Sequence, residues 1–582
     1  MFKCMLSFIL KPIDAFLNAY TMYRVVLNSL IAMTVWAVVL IGTGQISYSI
    51  SAAVLSLLIL VVGSFLLNIA VGKLLSAPIN MESSVITGLI LFLIFSPPSN
   101  ARDVYMLISA AAIATLSKYV FAIKKKHLFN PAAIAAFTVP LIGFDGASWW
   151  VATPLLTPFI LVLGLLVVRK IRRFSLFFAF VIAAIVSITI TNWSFINSGF
   201  MTYPQLLREV LTSWPLLFFA TIMLTEPYTM PHKQNLQIIF GVIVGLLFGA
   251  RFHVGPFFST PETALIIGNV FAYLVSPKQK LFLTLQKKEK LSSSMHQFYF
   301  SKPENFTFEA GQYMEWTLPL EKNIDVAKKQ FPDSRGNRRF FTIASAPAVD
   351  TIQLGVKIPQ PSENPSFYKQ ALAKIKPGDT VIGSQLGGDF VLPKNLTQYS
   401  QIIFIAGGIG VTPFKSMVEQ LHSTRPTPMP SITLFYCSSS VEEFVYKDTF
   451  ENKESQTFLK PIYVLTRPEN APKQWQQPST QWQQSPKQWQ QPSTQWQQSP
   501  KQWQQPSTQW QQPLEQNYKQ NIAPAYELGR LNEAMLKKYV KKPTVCLYYL
   551  SGPNAMVEGY KSLLHKMKVP QSAIKTDYFP GF

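Results

Sequence analysis

Residues 25–72 contain no Asp, Glu, Lys or Arg. A run of about 18 apolar residues is long enough to cross the hydrocarbon layer as a helix, and this stretch has room for two. Comparable runs recur through the first half of the chain. They predict ten spans, at 25–45, 50–71, 82–97, 104–123, 130–143, 151–168, 174–191, 212–228, 236–250 and 262–276. One such run fits a buried core helix, but ten in succession do not. The shorter ones read as half-helices, which are tolerated only inside protein or along a cavity. The opening stretch MFKCMLSFILKPIDAFLNAY lacks a small-residue cleavage site after its apolar part and reads as an amphipathic lead-in.

The net charge of +22 does not point to nucleic acid, because the excess sits in short clusters at span ends: Lys124 to Lys126, Arg169 to Arg173, and Lys278 with Lys280. That is the positive-inside pattern of a membrane protein. With ten spans and an inside start, all three clusters and everything after residue 277 fall on the cytoplasmic side. The expected location is the cell membrane, multi-pass, with the C-terminal half cytoplasmic. Cys4, Cys437 and Cys546 are scattered and form no C-x-x-C pair, so the chain alone builds no four-thiolate iron–sulfur cluster. The histidines are isolated as well, and no two spans pair them for stacked haems. No metal site is expected.

From about residue 281 the pattern changes to short alternating runs such as LFLTLQ, FYFSKP and YMEWTLPL, which read as an antiparallel barrel. After about 400 it changes again. QIIFIAGG, ITLFYCSSS and TVCLYYLSGP are strands, and helical runs follow the first and the third. That alternation implies a parallel sheet with sites at the strand C-terminal ends. Two runs stand out chemically: RRFFTIASAP (338–347) joins cations, aromatics and a hydroxyl, and AGGIGVTP (406–413) is a glycine loop between a strand and a helix.

Region 281–582 resembles the ferredoxin–NADP reductase superfamily along its whole length. The family's Arg-x-Tyr-Ser flavin motif stands here as Arg339, Phe340, Phe341 and Thr342, with Ser345 after it. The resemblance implies that Arg339 neutralises an FAD pyrophosphate through its planar fork. It implies that Phe341 stacks on the isoalloxazine and that Thr342 donates to flavin N5. AGQY (310–313), IKPGD (375–379) and GGDFVLP (387–393) follow the family order, and Ser366 in NPSF takes the place of a second pyrophosphate contact. Gly407, Gly408 and Gly410 match the nicotinamide-nucleotide loop, and Thr412 opens the helix whose N-terminus faces the pyrophosphate. Ser551 and Gly552 match the Cys-Gly-Pro element beside the nicotinamide. Asp577, in the terminal DYF, is either a proton relay to reduced flavin or a solvated tail carboxylate. The expected catalytic residues are Thr342, Ser551 and Asp577. CSSSVEEF (437–444) offers Glu442 and Glu443 but no Arg for a 2′-phosphate, so NADH is favoured over NADPH.

Residues 472–513 repeat PKQWQQPSTQWQQS, with Trp475, Trp482, Trp489, Trp496, Trp503 and Trp510 every seventh residue. One apolar residue per seven gives no coiled-coil seam, and the prolines break a helix. The composition is that of a chain that cannot bury enough to order itself, and the repeat reads as a surface-loop insertion.

The N-terminal half resembles the D subunit of the Rnf complex and the B subunit of the sodium-pumping NADH:quinone reductase over roughly residues 25–276. HLFNPAAIA (127–135), FFATIMLTEPYTMP (218–231) with Glu226, and PETALIIGNVFAYL (261–274) carry that resemblance. In that family a Thr in Ser-Gly-Ala-Thr holds covalent FMN. DGASWWVATPL (145–155) aligns Thr153 with that Thr, and Trp150-Val151 stands where the family has Ser-Gly. Thr153 is thus either a flavin-attachment residue or the cap of the span that begins there. Trp149 and Trp150 are either interface-belt residues or stack on a ring.

The expected architecture has three parts. A polytopic α-helical membrane domain (1–277) is fused to a β-barrel FAD domain (278–396) and an α/β Rossmann-like NAD domain (397–582), which is interrupted by the 468–520 insertion. The expected function is transfer of electrons from NADH through FAD to flavin in the membrane half, either covalent FMN or a second, non-covalent flavin near Phe129–Pro131 and Thr225–Thr229. From there they pass to a quinone or an extracytoplasmic acceptor, alone or with other electron-transport subunits. The rival reading is a multispan transporter or complex scaffold with a regulatory reductase.

Overall fold

The computed structural model describes residues 12–14, 16–17, 20–75, 81–123, 126–231, 233–255, 257–276, 280–318, 337–360, 366–393, 395–470 and 524–577. The repeat at 472–513, Lys124, Lys278, Asn364–Pro365, Tyr578–Phe579 and most of the N-terminal lead-in lie outside them.

Four helices are long and apolar enough to cross a bilayer: α1 Met22–Gly42, α2 Ile50–Leu74, Ala101–Val120 and Phe174–Thr191. Tyr203–Thr212 and Leu216–Met223, bent by 55°, make a fifth if the pair is one span. The other predicted spans are shorter helices. Pro131–Leu141 has 11 residues and Gln234–Gly249 has 16, so at ~1.5 Å per residue they rise only about 17–24 Å against a hydrocarbon core of about 30 Å. The hydropathy profile predicts ten spans because it counts apolar runs, and the backbone breaks several of them. Pro215 separates the bent pair, and the 151–168 run becomes helix only from Thr157 to Ile171.

The element order repeats. A long helix (Ile50–Leu74), a short apolar one (Met81–Ile94), another long one (Ala101–Val120), a two-residue hairpin and a proline-led helix (Pro131–Leu141) fill the first part. Phe174–Thr191, the broken pair, Gln234–Gly249, a second two-residue hairpin and proline-led Pro261–Val275 fill the second. Phe174–Thr191 and Gln234–Gly249 approach through a glycine stripe. A Cβ on Gly245 would lie 2.6 Å from Phe180 O, and one on Gly249 would lie 2.6 Å from Ile188 N. This is the small-residue packing that lets apolar helices touch without a hydrophobic drive. The outer face of Phe174–Thr191 exposes Phe178, Ile182, Val186 and Ile190.

Trp149 and Trp150 are not belt residues, since both are 6% exposed. The short helix Met81–Ile94 ends with unpaired carbonyls in apolar surroundings, and the 148–151 turn supplies their donors. Trp150 Nε1 donates to Phe92 O at 2.7 Å and Phe95 O at 2.9 Å, Trp149 N to Ile94 O at 2.8 Å, and Val151 N to Leu93 O at 3.1 Å. Helix ends removed from water need such partners. Thr153 does not cap the following helix with its side chain. Its carbonyl accepts from Thr157 N at 3.0 Å, while its hydroxyl is enclosed and makes no hydrogen bond.

The C-terminal half begins with six antiparallel strands: β1 Leu281–Lys290, β2 Met295–Ser301, β3 Tyr313–Thr317, β4 Arg338–Thr342, β5 Thr351–Lys357 and β6 Thr380–Gly387. They lie in the order β4-β3-β6-β1-β2-β5. Just past the β4 edge, Ala344 N donates to Gln353 O on β5 at 2.8 Å and brings the two edges together as a barrel. A second sheet follows, with all strands parallel: β7 Ile402–Gly407, β8 Ile432–Ser438, β9 Leu459–Leu465, β10 Ala525–Leu528, β11 Leu547–Ser551 and β12 Ile574–Thr576, in the order β10-β9-β8-β7-β11-β12. β7 and β11 are neighbours at its centre, and both run as continuous buried strands, as a sheet covered on two faces requires.

Candidate active site

β4 pairs with β3 so that Arg339 lies opposite Trp316 and Phe341 opposite Met314. Alternation puts Arg339 and Phe341 on one side of the strand. Both meet Tyr368: the Arg339 guanidinium carbon is 5.2 Å from its ring centre, and the Phe341 ring is 5.7 Å away. Tyr368 comes just after Ser366, whose hydroxyl caps helix Phe367–Lys374 by accepting from Lys369 N at 3.5 Å. The two sequence elements assigned to one pyrophosphate therefore lie together. Tyr368, which joins them, carries no local signal that sequence reasoning could use.

The other parity of β4 brings Thr342 to the nucleotide sheet. Thr342 and Ser551 both hydrogen-bond the Asp577 carboxyl, Ser551 Oγ donating to Oδ2 at 3.0 Å. Asp577 is held there by its own N–H, which donates to Leu550 O at 2.9 Å. As a residue it is half-buried, but Oδ1 is enclosed and has no hydrogen-bond partner. Burial pushes its pKa up to about 7, against the two hydroxyl donors that lower it. The three residues expected to be catalytic converge, and the solvated-tail reading of Asp577 does not hold.

Gly407, Gly408 and Gly410 shape the crossing between β7 and β11. A Cβ on Gly410 would lie 2.6 Å from Gly552 Cα and 2.6 Å from Ser551 O, and one on Gly407 would lie 2.4 Å from Met556 Sδ. Gly408 adopts φ +52°, a left-handed conformation that favours glycine. Helix Thr412–Thr424 then starts with Pro413 in its first turn and no side-chain cap, so its N–H groups face the loop. AGQY and GGDF also touch: a Cβ on Gly311 would lie 2.1 Å from Phe390 O.

The same helix latches onto the segment after β4. Ser416 Oγ donates to Ser345 O at 2.6 Å, and Glu419 Oε2 accepts from Ala346 N at 3.1 Å. Lys415 Nζ donates to Ala344 O, Gln353 Oε1 and Glu419 Oε1 at 3.2, 2.8 and 2.5 Å. Burial lowers the Lys415 pKa, and Glu419 opposes the shift. Ser345, expected to touch flavin, accepts from Gln353 N through its hydroxyl at 3.2 Å. Glu442 is exposed. Glu443 is bound to Lys357 of β5 and accepts from Ser438 Oγ at 2.8 Å.

These features fit FAD and a nicotinamide nucleotide. A buried cation and two rings line one side of β4, a glycine cradle that a Cβ would fill opens beside an uncapped helix start, and an enclosed acid with an unpaired oxygen lies between them. Among the described residues no three His, Cys, Asp or Glu side chains gather as a metal site.

Comparison with known proteins agrees. Residues 404–488 match the oxidoreductase NAD-binding domain family. Flavohemoprotein from Oceanobacillus iheyensis is 24% identical over 189 residues, 32% of this chain and 43% of that protein. Flavohemoprotein from Bacillus subtilis is 25% identical over 189 residues, 32% of this chain and 42% of that protein. The chain thus spans less than half the length of these curated relatives. A solved ferredoxin NADP+ reductase from Neisseria gonorrhoeae, with bound FAD and NADP, is 16% identical with a TM-score of 0.35, covering 52% of this chain and 99% of that one. The chain carries an oxidoreductase NAD-binding domain and is an FAD-containing oxidoreductase.

Proposed function

We propose that the chain is a membrane-bound NADH-dependent flavin oxidoreductase that passes electrons from NADH through FAD into its helical half, and on to a quinone or an extracytoplasmic acceptor. The observation that carries the reading is the meeting of Thr342, Ser551 and Asp577 where β4 faces the ends of β7 and β11. FAD, when bound there, would supply hydride acceptance from the nicotinamide and passage of the electrons to a further acceptor. Arg339 would hold its pyrophosphate, Phe341 would offer a ring face, and Thr342 would turn its hydroxyl to the flavin. With its pKa near neutrality, Asp577 keeps a proton within reach of that hydroxyl. The 437–444 run after β8 carries Glu442 and Glu443 and no Arg for a 2′-phosphate, which supports NADH over NADPH.

The helical half supports a membrane route by its fusion to this domain, by its exposed apolar faces, and by the resemblance to the Rnf and sodium-pumping subunits. Covalent FMN on Thr153 finds a hydroxyl that makes no hydrogen bond but is enclosed, so attachment requires the structure around it to open. Polar groups near Phe129–Pro131 and Thr225–Thr229 are paired with one another. Asn130 N donates to Asn269 Oδ1 at 3.0 Å, Asn130 Nδ2 to Met223 O at 3.4 Å and Asn269 Nδ2 to Thr229 O at 3.0 Å, so they satisfy one another. No step is assigned to a second flavin there. The repeated element order and the broken span favour one alternative, a transporter with a regulatory reductase, because transporters are built this way.

The test is the full chain in lipid vesicles under anaerobic conditions. NADH should bleach the flavin faster than NADPH does, and a bilayer quinone should then be reduced. Bleaching without quinol would reject the membrane route. A fluorescent band on a denaturing gel, lost in Thr153→Val, tests the covalent flavin.

A further inference from the structure

Among the described residues, contacts from each lobe tie the reductase half to the helical half. Arg338, the first residue of β4, donates to the hydroxyl of Tyr228, which also shares a hydrogen bond with Tyr23 at the start of α1. Glu315 of β3, fixed by Gln385 Nε2 at 3.0 Å, adds its charge to Arg338. Tyr228 sits in the turn after the broken span, inside the TEPYT run. The second contact comes from Arg172, which ends helix Thr157–Ile171 in a left-handed conformation at φ 54°. Its Nη2 donates to Glu558 Oε1 at 2.8 Å and Asn554 Oδ1 at 3.0 Å. Both partners lie at the start of helix Asn554–Lys566, directly after Ser551, Gly552 and Pro553.

The placement of these contacts is informative. Arg338 is the chain neighbour of Arg339 in the flavin strand. Asn554 opens the helix that follows the nicotinamide element. A domain tethered only for location needs neither contact, and the default for domains without a large interface is relative motion. Here each lobe is pinned through the element that carries its own half of the site.

We propose that Tyr228 and Arg172 are positioning residues that seat the flavin and nucleotide lobes on the helical half, so that electrons pass from FAD across the Tyr228 turn to a quinone without a separate carrier protein. This rests on the membrane route proposed above. The reaction balances: NADH supplies a hydride, solvent supplies a proton, and the two electrons with two protons convert quinone to quinol, leaving NAD+.

The test uses the full chain in vesicles containing a short-chain quinone, under anaerobic conditions. Flavin bleaching by NADH and quinol formation are followed separately. Tyr228→Phe removes one hydroxyl, and Arg172→Glu sets like charges against Glu558. Both should leave bleaching unchanged and slow quinol formation about tenfold or more, as displacing reacting groups does. The double change Arg172→Glu with Glu558→Arg should restore quinol formation. Unchanged quinol formation in both single variants, or equal slowing of both steps, overturns the positioning role alone. Unaltered protein that bleaches without forming quinol overturns the membrane route and the positioning role with it.

Discussion

Helix Thr412–Thr424 in the nucleotide lobe and helix Pro131–Leu141 in the helical half both begin with a proline in the first turn, yet their N-termini are finished differently. The first follows a glycine loop and has no side-chain cap. The second is capped by Asn130, whose Oδ1 accepts from Ala132 N at 3.0 Å and Ala133 N at 3.1 Å. Where water and a charged ligand have access, open N–H groups are an anion site. Where the surroundings are apolar, an open N–H is expensive and the chain closes it. The same start therefore makes a binding site in one half and a sealed joint in the other.

The comparison is broken most severely at the glycine loop. Gly410→Ala puts a Cβ 2.6 Å from the Gly552 backbone, which must move, and NADH-driven bleaching should fall about a hundredfold while FAD content is kept. Stopped-flow absorbance and flavin release measure the two. Next is Arg339→Ala, which removes a charge-assisted contact worth about 1.5–3 kcal/mol. Equilibrium titration should show FAD bound roughly tenfold to a hundredfold more weakly, with the helical half still folded.

On the sealed side, Asn130→Ala removes the side chain that pairs Ala132 N, Ala133 N and Met223 O. It should cost about 1–3 kcal/mol of stability, seen as a lower unfolding midpoint in detergent, while bleaching by NADH stays unchanged. A fall in bleaching would mean that the two halves are not separable in this way.

Asp577 sharpens the reductase side. With its pKa raised to about 7, it holds a proton at neutral pH, and turnover should decline as pH rises through about 7. Because the folded pKa lies above the ordinary carboxylate range, its stabilising contribution is full in acid and is lost as pH rises through the folded value. Asp577→Asn should flatten both profiles. Deleting 472–513 should have the smallest effect, leaving bleaching near its original rate, since surface-loop length costs little.

Much of the reductase site is legible because its chemistry is local. Gly407, Gly408, Gly410 and Thr412 lie in one run, and so do Arg339, Phe341 and Thr342. Asp577 has no local signature, and only the family resemblance placed it beside Thr342 and Ser551. Tyr368 and Lys415 were invisible, because a lone Tyr and a lone Lys announce nothing until the fold brings Arg339 or Ala344 against them. The partners of Ser345 and Glu443, Gln353 N and Lys357, come from β5 and are not legible in the sequence. In the helical half hydropathy located the apolar segments but not their lengths, because a proline such as Pro215 breaks a run without lowering its apolarity. Trp149 and Trp150 look like surface aromatics in sequence, and only the open end of Met81–Ile94 shows why they are buried.

The central claim is that the helical half is an electron path and not an anchor. Arg172, on the reductase side, ends the helix that begins at Thr157, so Thr153 lies at the opposite end of that helix. The direct measurement uses sealed vesicles with the reductase half outermost and a membrane-impermeant oxidant trapped inside. Added NADH should reduce the trapped oxidant. If the flavin bleaches fully while the trapped oxidant remains oxidised, electrons do not traverse the helical half.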